Sequence, residues 1–231
     1  MNKINFIIKH IPYIFHIIYF NFKYLPLKQA IKLPIFLYKP KLLKLKGEVI
    51  IKSLPIKTAM IRLGQFGVSL YPNTGVVWEN HGGKVIFKNK CSIGNSSAIS
   101  IGESGLSVFG DYSQSTAGLK ITSYHKIEFG QNVLIGWDNI FMDTDFHQIK
   151  SLNGELIKSF GEIIIGDNNW FGVGCTIQKN TKTPNNTIIA AKSFLNKDYQ
   201  FPEYSIIGGV PSKLLKTGYY RDVNNDQIFY D

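Results

Sequence analysis

Residues 165–195 decide the fold of this chain, and they read IGDNNW FGVGCT IQKNTK TPNNTI IAAKSF L. The spaces mark consecutive blocks of six residues. With one exception, the first position of each block is a bulky apolar residue: Ile165, Phe171, Ile177, Thr183, Ile189 and Leu195. The fifth position is small or short and polar: Asn169, Cys175, Thr181, Thr187 and Ser193. Chance is a poor explanation for five such blocks in succession.

The six-residue period matches neither of the common regular structures. An α-helix turns every 3.6 residues, and the two-residue alternation of an antiparallel strand gives no reason for a period of six. A triangular coil does repeat in this way, because three blocks make one turn and each side presents one bulky inward residue. Gly136, Gly166 and Gly172 are expected to give a permissive backbone at the corners. A β-sandwich with accidental spacing is the alternative.

The same pattern occurs earlier in the chain. A second run opens its blocks with Phe129, Ile135 and Phe141. Weaker copies begin at Phe87, Ile93 and Ile99, with Cys91 and Ser97 as fifth residues. The sequence therefore predicts a mainly β protein, a β-helix of hexapeptide repeats.

Residues 165–194, followed by SIIGGVPSKLLK at 205–216, resemble the bacterial hexapeptide-repeat acyltransferases. The similarity is to the branch of maltose- and polysaccharide-modifying O-acetyltransferases, and it covers about residues 85–217. It implies a left-handed parallel β-helix that forms a homotrimer. It also implies acetyl-CoA as a co-substrate held between subunits, with no permanently bound cofactor.

His147 is the predicted catalytic residue. It lies in FMDTDFHQI, where the second run ends, and the related enzymes have their catalytic histidine in this Asp-x-Asp-x-His context. A histidine suits the removal of a hydroxyl proton, since its ordinary pKa of about 6.5 lies near working pH. Asp145 and Asp143 are both candidates to orient the imidazole. The alternative is that His147 caps a strand and the aspartates form turns.

The resemblance also implies a set of residues that bind CoA. Small residues at Ala190 and Ala191 leave backbone exposed for the pantetheine arm, and Trp170 matches a tryptophan near it. Basic and polar groups are expected at the nucleotide end and along the same channel: Asn196, Lys197, Lys213 and Lys216. Lysine binds phosphate as a point charge. The alternative is that each lysine is solvated and Trp170 only packs.

Residues 148–164 have no hexapeptide register and contain the turn dipeptide Asn153-Gly154. We expect a loop that walls the acceptor or thioester channel, although a simple insertion is the alternative. His125 is expected to pack, with acceptor contact as a second possibility.

The N-terminal segment, residues 1–46, holds nine lysines and no acidic residue, whereas the whole chain has 26 basic and 16 acidic residues. The rest of the chain has 17 basic and 16 acidic residues, so the folded body lacks the basic surface of a nucleic-acid-binding protein. The segment is predicted to form short helices broken by prolines and to lie on an anionic membrane surface. Packing on the domain or on a neighbouring subunit is one alternative, and a membrane-spanning helix is another.

The predicted organisation has three parts: the segment 1–46, a β-helix at 47–210 with the loop 148–164, and a C-terminal extension at 211–231. Cys91 and Cys175 are expected to be buried small apolar residues in a reducing compartment. No metal is expected, because three convergent histidines are missing.

The predicted function is acetyl-CoA-dependent O-acetylation of a sugar hydroxyl on a surface polysaccharide or its precursor. The expected location is the cytoplasm, including the inner face of the plasma membrane. An amino-sugar N-acetyltransferase and a non-catalytic β-helix scaffold at the membrane are the alternatives.

Overall fold

The computed structural model describes residues 8, 10–65, 67 and 69–225, and its strands form three parallel sheets and one small hairpin. The first sheet contains β1 (Ile35–Leu37), β4 (Ile61–Gln65), β7 (Cys91–Gly94), β10 (Ser113–Ser115), β13 (Leu134–Ile135), β18 (Trp170–Phe171), β21 (Ile188–Ile189), β23 (Ser205–Gly208) and the antiparallel β24 (Lys213–Thr217). The second contains β2 (Pro40–Leu45), β5 (Val76–Asn80), β8 (Ser97–Ile101), β11 (Lys120–Ser123), β14 (Ile140–Met142), β19 (Thr176–Gln178) and β22 (Phe194–Leu195). The third contains β3 (Glu48–Ile51), β6 (Lys84–Phe87), β9 (Leu106–Phe109), β12 (Lys126–Phe129), β17 (Ile163–Ile165) and β20 (Lys182–Thr183).

The chain visits the three sheets in turn, so each circuit is one coil of a three-sided β-helix. Ile165 pairs with Thr183, Phe171 with Ile189 and Ile177 with Leu195, and each pair is three blocks apart. All six residues are buried. The predicted β-helix of hexapeptide repeats is confirmed.

The fifth residue of each block is buried at a corner and satisfies a backbone carbonyl there. Asn169 donates to the carbonyl oxygen of Pro184 at 2.8 Å, and Ser193 donates to that of Ala190 at 2.6 Å. A buried carbonyl without a donor costs about 1–3 kcal/mol, which explains why short polar side chains occupy these positions.

The left-handed backbone at the corners belongs to the fourth residue of the block and not to the glycines expected there. Positive φ angles recur every six residues, at Asn168, Gly174, Asn180, Asn186 and Lys192. Asparagine tolerates this conformation because its side chain bonds the local backbone.

Gly136, Gly166 and Gly172 are required for a different reason. A Cβ atom on Gly166 would lie 2.6 Å from the carbonyl carbon of Pro184, and one on Gly172 would lie 2.7 Å from the nitrogen of Ala191. The next coil passes too close for a side chain.

The N-terminal helices end at Ala30, and the prediction that residues 1–46 are helical is corrected beyond that point. The helices are a 3₁₀ turn Ile11–Tyr13, an α-helix Ile14–Tyr24 and a short helix Leu27–Ala30. β1 and β2 follow and form the first coil, because β1 pairs with β4 and β2 pairs with β5. The β-helix therefore begins at Ile35.

The helix Ile14–Tyr24 covers the open end of the first coil. Ile17 and Phe20 are fully buried, and the ring of Phe20 lies 5.1 Å from that of Trp78. Asn21 is also fully buried, and its amide donates to the carbonyl of Ile35 at 2.7 Å while accepting from the same residue's N–H at 3.1 Å. These two hydrogen bonds satisfy the backbone groups of Ile35 at the free edge of β1. Without them the edge strand would be open to pairing with another chain.

The C-terminal extension folds back on the coil. β24 pairs with β23 in antiparallel fashion and closes the first sheet. Cys91 and Cys175 are free and buried, as predicted. Within the described part of the chain, no helix has the length and hydropathy needed to cross a bilayer.

Candidate active site

His147 lies at the corner between the second and third sheets, in the excursion that separates β14 from β17. Thr144 forms an antiparallel bridge with Phe160, so the excursion is closed at its base. His147 stands three residues beyond this bridge, and its side chain is exposed. Among the described residues, its imidazole has no hydrogen-bond partner, so both ring nitrogens are available to a ligand.

Asp145 does not contact His147 in this chain. Its carboxylate pairs with the ammonium of Lys179 at 2.6 Å, and the same ammonium donates to the carbonyl oxygen of Lys158 at 2.8 Å. The backbone N–H of Asp145 also donates to the carbonyl of Ser159 at 2.7 Å. Lys179 therefore holds the two arms of the excursion together.

Asp143 does not contact His147 either, because its carboxylate is fully buried below the excursion. It accepts from the backbone N–H groups of Tyr124 and His125, both at 2.8 Å. Burial raises the pKa of Asp143, and the two N–H donors oppose that rise. The carboxylate thus fixes the preceding coil to the base of the excursion.

The predicted loop 148–164 is an exposed hairpin. β15 (Ile149–Lys150) pairs with β16 (Leu156–Ile157), and Gly154 has a φ of 83° in the turn between them. The hairpin and its base carry large apolar side chains that face solvent: Phe146, Ile149, Leu152, Leu156, Ile157 and Phe160. So many exposed apolar groups on one projection are typical of a surface that contacts a ligand or another subunit.

A groove of about 530 Å³ lies beside the hairpin on the third-sheet side. It is lined by His125, Lys158, Gly161, Glu162, Asn180, Lys182, Asn196, Lys197 and Asp198. Lys182 pairs with Glu162 at 2.7 Å, and this contact lowers the pKa of Glu162 and raises that of Lys182. The ring of His125 packs 4.9 Å from that of Phe160, as expected for a packing residue. Two predicted CoA residues, Asn196 and Lys197, line this groove together with the returning arm of the excursion at Lys158, whereas His147 is not among its lining residues.

Other predicted CoA residues lie on the first sheet. The registers place Trp170, Ile188, Ile206 and Lys216 side by side in one row, since Trp170 pairs with Ile188, Ile188 with Ile206 and Ile206 with Lys216. Trp170 is 40% exposed, and Lys216 is exposed as well. Lys213 pairs with Gly208 at the turn end of the same hairpin. Among the described residues, none of Lys197, Lys213 and Lys216 has a carboxylate partner.

Ala190 and Ala191 differ in what they offer a ligand. The N–H of Ala190 donates to Ile207 at 2.9 Å, and its carbonyl accepts from Ser193 and Cys175. Ala191 is exposed, and neither its N–H nor its carbonyl has a partner among the described residues. An extended ligand along this corner would therefore bond Ala191.

The predicted residues thus form two groups in one chain. His147, Asn196 and Lys197 lie at the corner between the second and third sheets, whereas Trp170 and Lys216 lie on the outer face of the first sheet. A single chain does not bring the two groups together.

Lys179 is the site residue that reasoning from the sequence missed. The register alone would place Lys179 level with Asp143 and not with Asp145, because Met142 pairs with Gln178. Lys179 follows Gln178 as Asp143 follows Met142, once the excursion is taken out of the count. The ion pair with Asp145 could not be predicted, because it depends on the path of the excursion, which the six-residue repeat does not specify.

A second cavity, also of about 530 Å³, lies near the N-terminal end of the first sheet. Three cationic residues, Lys57, Arg62 and Lys90, contribute to its lining, and no carboxylate does. It contains none of the predicted site residues.

No family model and no curated protein sequence matches the chain. Similar solved structures include the polySia-specific acetyltransferase NeuO, at 17% identity over 79% of this chain and 88% of that one, with a TM-score of 0.49. AntD, an N-acyltransferase from Bacillus cereus solved with dTDP and coenzyme A, is 15% identical over 78% and 88%, with a TM-score of 0.46. A maltose O-acetyltransferase from Clostridium difficile 630 is 14% identical over 94% and 89%, with a TM-score of 0.33.

These three proteins are acyltransferases by name, which is the class that the sequence motifs resemble. Their TM-scores lie below 0.5. The strand pairings described above, and not these similarities, therefore establish the fold.

Proposed function

We propose that the chain is an acetyl-CoA-dependent O-acetyltransferase that modifies a sugar hydroxyl of a surface polysaccharide or its precursor. The observation that carries the proposal is His147, an exposed imidazole with no hydrogen-bond partner among the described residues, in the excursion beside a polar groove. The hexapeptide motifs and the context Asp143-x-Asp145-x-His147 support it. We expect the enzyme to act in the cytoplasm, where acetyl-CoA is available.

The proposed reaction needs no covalent enzyme intermediate. His147 accepts the proton of the sugar hydroxyl as the oxygen attacks the thioester carbonyl of acetyl-CoA. The tetrahedral intermediate then collapses, the carbon–sulfur bond breaks, and the CoA sulfur takes the proton from the imidazolium. The products are the sugar acetate and free CoA. General-base catalysis of this kind contributes about 10²–10⁴-fold to the rate.

The two aspartates have a supporting role in this proposal. Asp145 is held by Lys179, and Asp143 is held by two backbone N–H groups. We therefore propose that they position the hairpin, and through it His147, without touching the imidazole.

The CoA site is proposed to lie between subunits of a homotrimer. The division of the predicted residues between two sides of one chain supports a shared site, because a neighbouring copy can bring the Trp170 face to the His147 corner. Ala191 supplies backbone groups without a described partner for the pantetheine arm, and Lys213 and Lys216 supply charges without a described carboxylate partner for phosphates.

The function is tested by the release of CoA thiol from acetyl-CoA with neutral, acidic and amino-sugar glycans as acceptors. We expect glycan-dependent thiol release and an ester product that is cleaved by mild base. His147→Ala should lower turnover by about 10²–10⁴-fold. His81→Ala is the matched control, because His81 pairs with Glu79 on an earlier coil.

A variant His147→Ala that keeps its activity would refute the catalytic assignment. A base-stable amide product would show an N-acetyltransferase instead. The absence of thiol release with every acceptor, together with no acetyl-CoA binding, would indicate a scaffold.

The shared site has a test of its own. Chains carrying His147→Ala are mixed and reassembled with chains carrying Trp170→Ala and Lys216→Ala. If each site takes His147 from one chain and Trp170 and Lys216 from another, about a quarter of the sites in random assemblies are intact. Activity should therefore return on mixing, whereas a site within one chain would stay inactive.

A further inference from the structure

The helix Ile14–Tyr24 is apolar on two opposite faces. Its inner face packs Ile17 and Phe20 into the end of the coil. Its outer face carries a second stripe, spaced three or four residues apart, whose side chains are 40–81% exposed: Phe15, Ile18, Tyr19 and Phe22. A helix that is apolar all round is ordinarily buried all round. Half of this one is left uncovered by the residues that the structure describes.

The exposed stripe continues into the flanking residues. Ile11 precedes it, and Leu27 and Ile31 follow it, each more than half exposed. We call the whole surface the docking face, composed of Ile11, Phe15, Ile18, Tyr19, Phe22, Leu27 and Ile31.

The segment that carries the docking face is rich in exposed lysines. Every described lysine up to residue 46 is exposed, and none forms an ion pair with a described residue: Lys23, Lys28, Lys32, Lys39, Lys41, Lys44 and Lys46. Residues 1–46 contain no aspartate or glutamate. The lysines of the third sheet differ, because Lys84 pairs with Glu48 and Lys182 with Glu162.

We propose that the docking face inserts into the interface of an anionic lipid bilayer. Exposed aromatic and aliphatic side chains on one face of a helix, flanked by lysines, are the combination that binds such an interface. Each lysine near an anionic surface contributes about 1 kcal/mol. A second copy of the chain is a poorer occupant, because it would bring the same uncompensated lysines together.

The docking face also sets the orientation of the molecule, because its helix covers the end of the coil. The stack of coils therefore stands upright on the bilayer. β14, which leads into the His147 hairpin, is four strands above β2 in the second sheet, a height of about 19 Å at the usual strand spacing. Resting on the proposed function, this height selects as acceptor a sugar held away from the lipid and not the sugar joined to it.

Binding is tested by flotation of the full chain with vesicles of phosphatidylcholine, either alone or containing phosphatidylglycerol. We expect binding to the anionic vesicles only, weakened by salt. The double variant Phe15→Ser with Phe22→Ser should bind at least about tenfold more weakly. Leu70→Ser is the matched control, because Leu70 is 74% exposed and its neighbour Tyr71 bonds Asp138, which follows β13.

Two outcomes would overturn the docking proposal. One is a full chain that stays free of anionic vesicles. The other is a serine double variant that binds vesicles normally but changes its oligomeric state, which would show that another copy covers the face. Vesicle binding and oligomeric state are both measured without catalysis. Activity on a soluble acceptor tests the proposed function separately, so a failure of one proposal is distinguished from a failure of the other.

Neutron reflectivity of the bound layer tests the orientation. The first sheet has nine strands, so an upright molecule gives a layer about 38 Å thick before side chains are added. A layer of about 20 Å, the width of one side of the coil, would refute the upright arrangement.

Discussion

Lys179 and Asp145 form a 2.6 Å ion pair that joins two coils across the base of the hairpin that follows His147. Lys179 belongs to the coil that contains β19, whereas Asp145 begins the excursion that follows β14. The ammonium of Lys179 also donates to the carbonyl of Lys158, so this one group bonds the outgoing and the returning arm of the excursion. A hairpin held at its base keeps His147 in one position, which its proposed role as general base requires.

Replacing Lys179 with alanine should loosen the hairpin and lower the turnover number by about tenfold, since a small misplacement of a catalytic group is costly. Lys179→Arg should restore part of the activity because it can still pair with Asp145. Lys88→Ala is the control, because Lys88 pairs with Glu128 on the third sheet. The measurement is steady-state kinetics alongside a thermal melt, and equal activity of the Lys179→Ala variant and the parent would contradict the positioning role.

The buried carboxylate of Asp143 predicts a specific pH dependence of stability. Burial raises the pKa of Asp143 in the folded state above the unfolded value of about 3.9, so the folded protein keeps this proton up to a higher pH. Between these two values the folded state binds more protons than the unfolded state, and the free energy of unfolding contributed by Asp143 falls as pH rises.

This contribution should be absent from the variant Asp143→Asn. We expect the variant to be less stable at all pH values, by about 1–3 kcal/mol, because one accepting oxygen becomes a donor facing an N–H group. The difference in the free energy of unfolding between parent and variant should shrink as pH rises from the unfolded to the folded pKa of Asp143. Denaturant unfolding at several pH values measures it, and a constant difference would refute the raised pKa.

The double variant Lys213→Ala with Lys216→Ala should bind CoA at least about tenfold more weakly, because each charge-assisted bond to phosphate contributes about 1.5–3 kcal/mol. The affinity for a glycan acceptor should change little. Calorimetry with CoA measures the effect, and Lys84→Ala controls for a general loss of charge because Lys84 is paired on the third sheet. An unchanged CoA affinity would remove both lysines from the proposed site.

Asn21→Ala should destabilise the N-terminal end of the β-helix by about 2 kcal/mol, because the N–H and carbonyl of Ile35 lose their partner while remaining buried. A change of this size lowers the melting temperature by about 4–8 °C in a chain of this length. Phe15→Ala serves as the comparison, since Phe15 is 81% exposed and its loss should leave the melt unchanged. Equal melting temperatures for the two variants would show that the helix does not stabilise the coil.

The repeat made most of the β-helix predictable. The opening residues from Ile165 to Leu195 were expected to point inward and do, because the first position of each block is where a bulky side chain fills the core of a triangular coil. The small fifth residues were also located correctly. The reason given for the glycines was wrong, since close approach of the next coil, and not left-handed backbone, selects Gly166 and Gly172.

The sequence predicted less where the period is absent. Residues 35–45 were assigned to the helical segment because lysines and prolines obscure their inward positions, yet β1 and β2 complete the first coil. A chain that starts near Gly47 would therefore lack part of the β-helix as well as its cover. The partners of Asp143 and Asp145 were also missed, because a carboxylate near a histidine in sequence takes whichever donors the neighbouring coils bring closer.

The regular stacking of the coils has a consequence for how such a molecule reaches its acceptor. Each coil adds about 4.8 Å along the stack and leaves the coils above and below it unchanged. Inserting or deleting a coil between the docking face and the hairpin would shift His147 by that increment without altering the chemistry beside it. If the proposed function and docking hold, the number of coils sets how far along a membrane-bound glycan the acetyl group is placed.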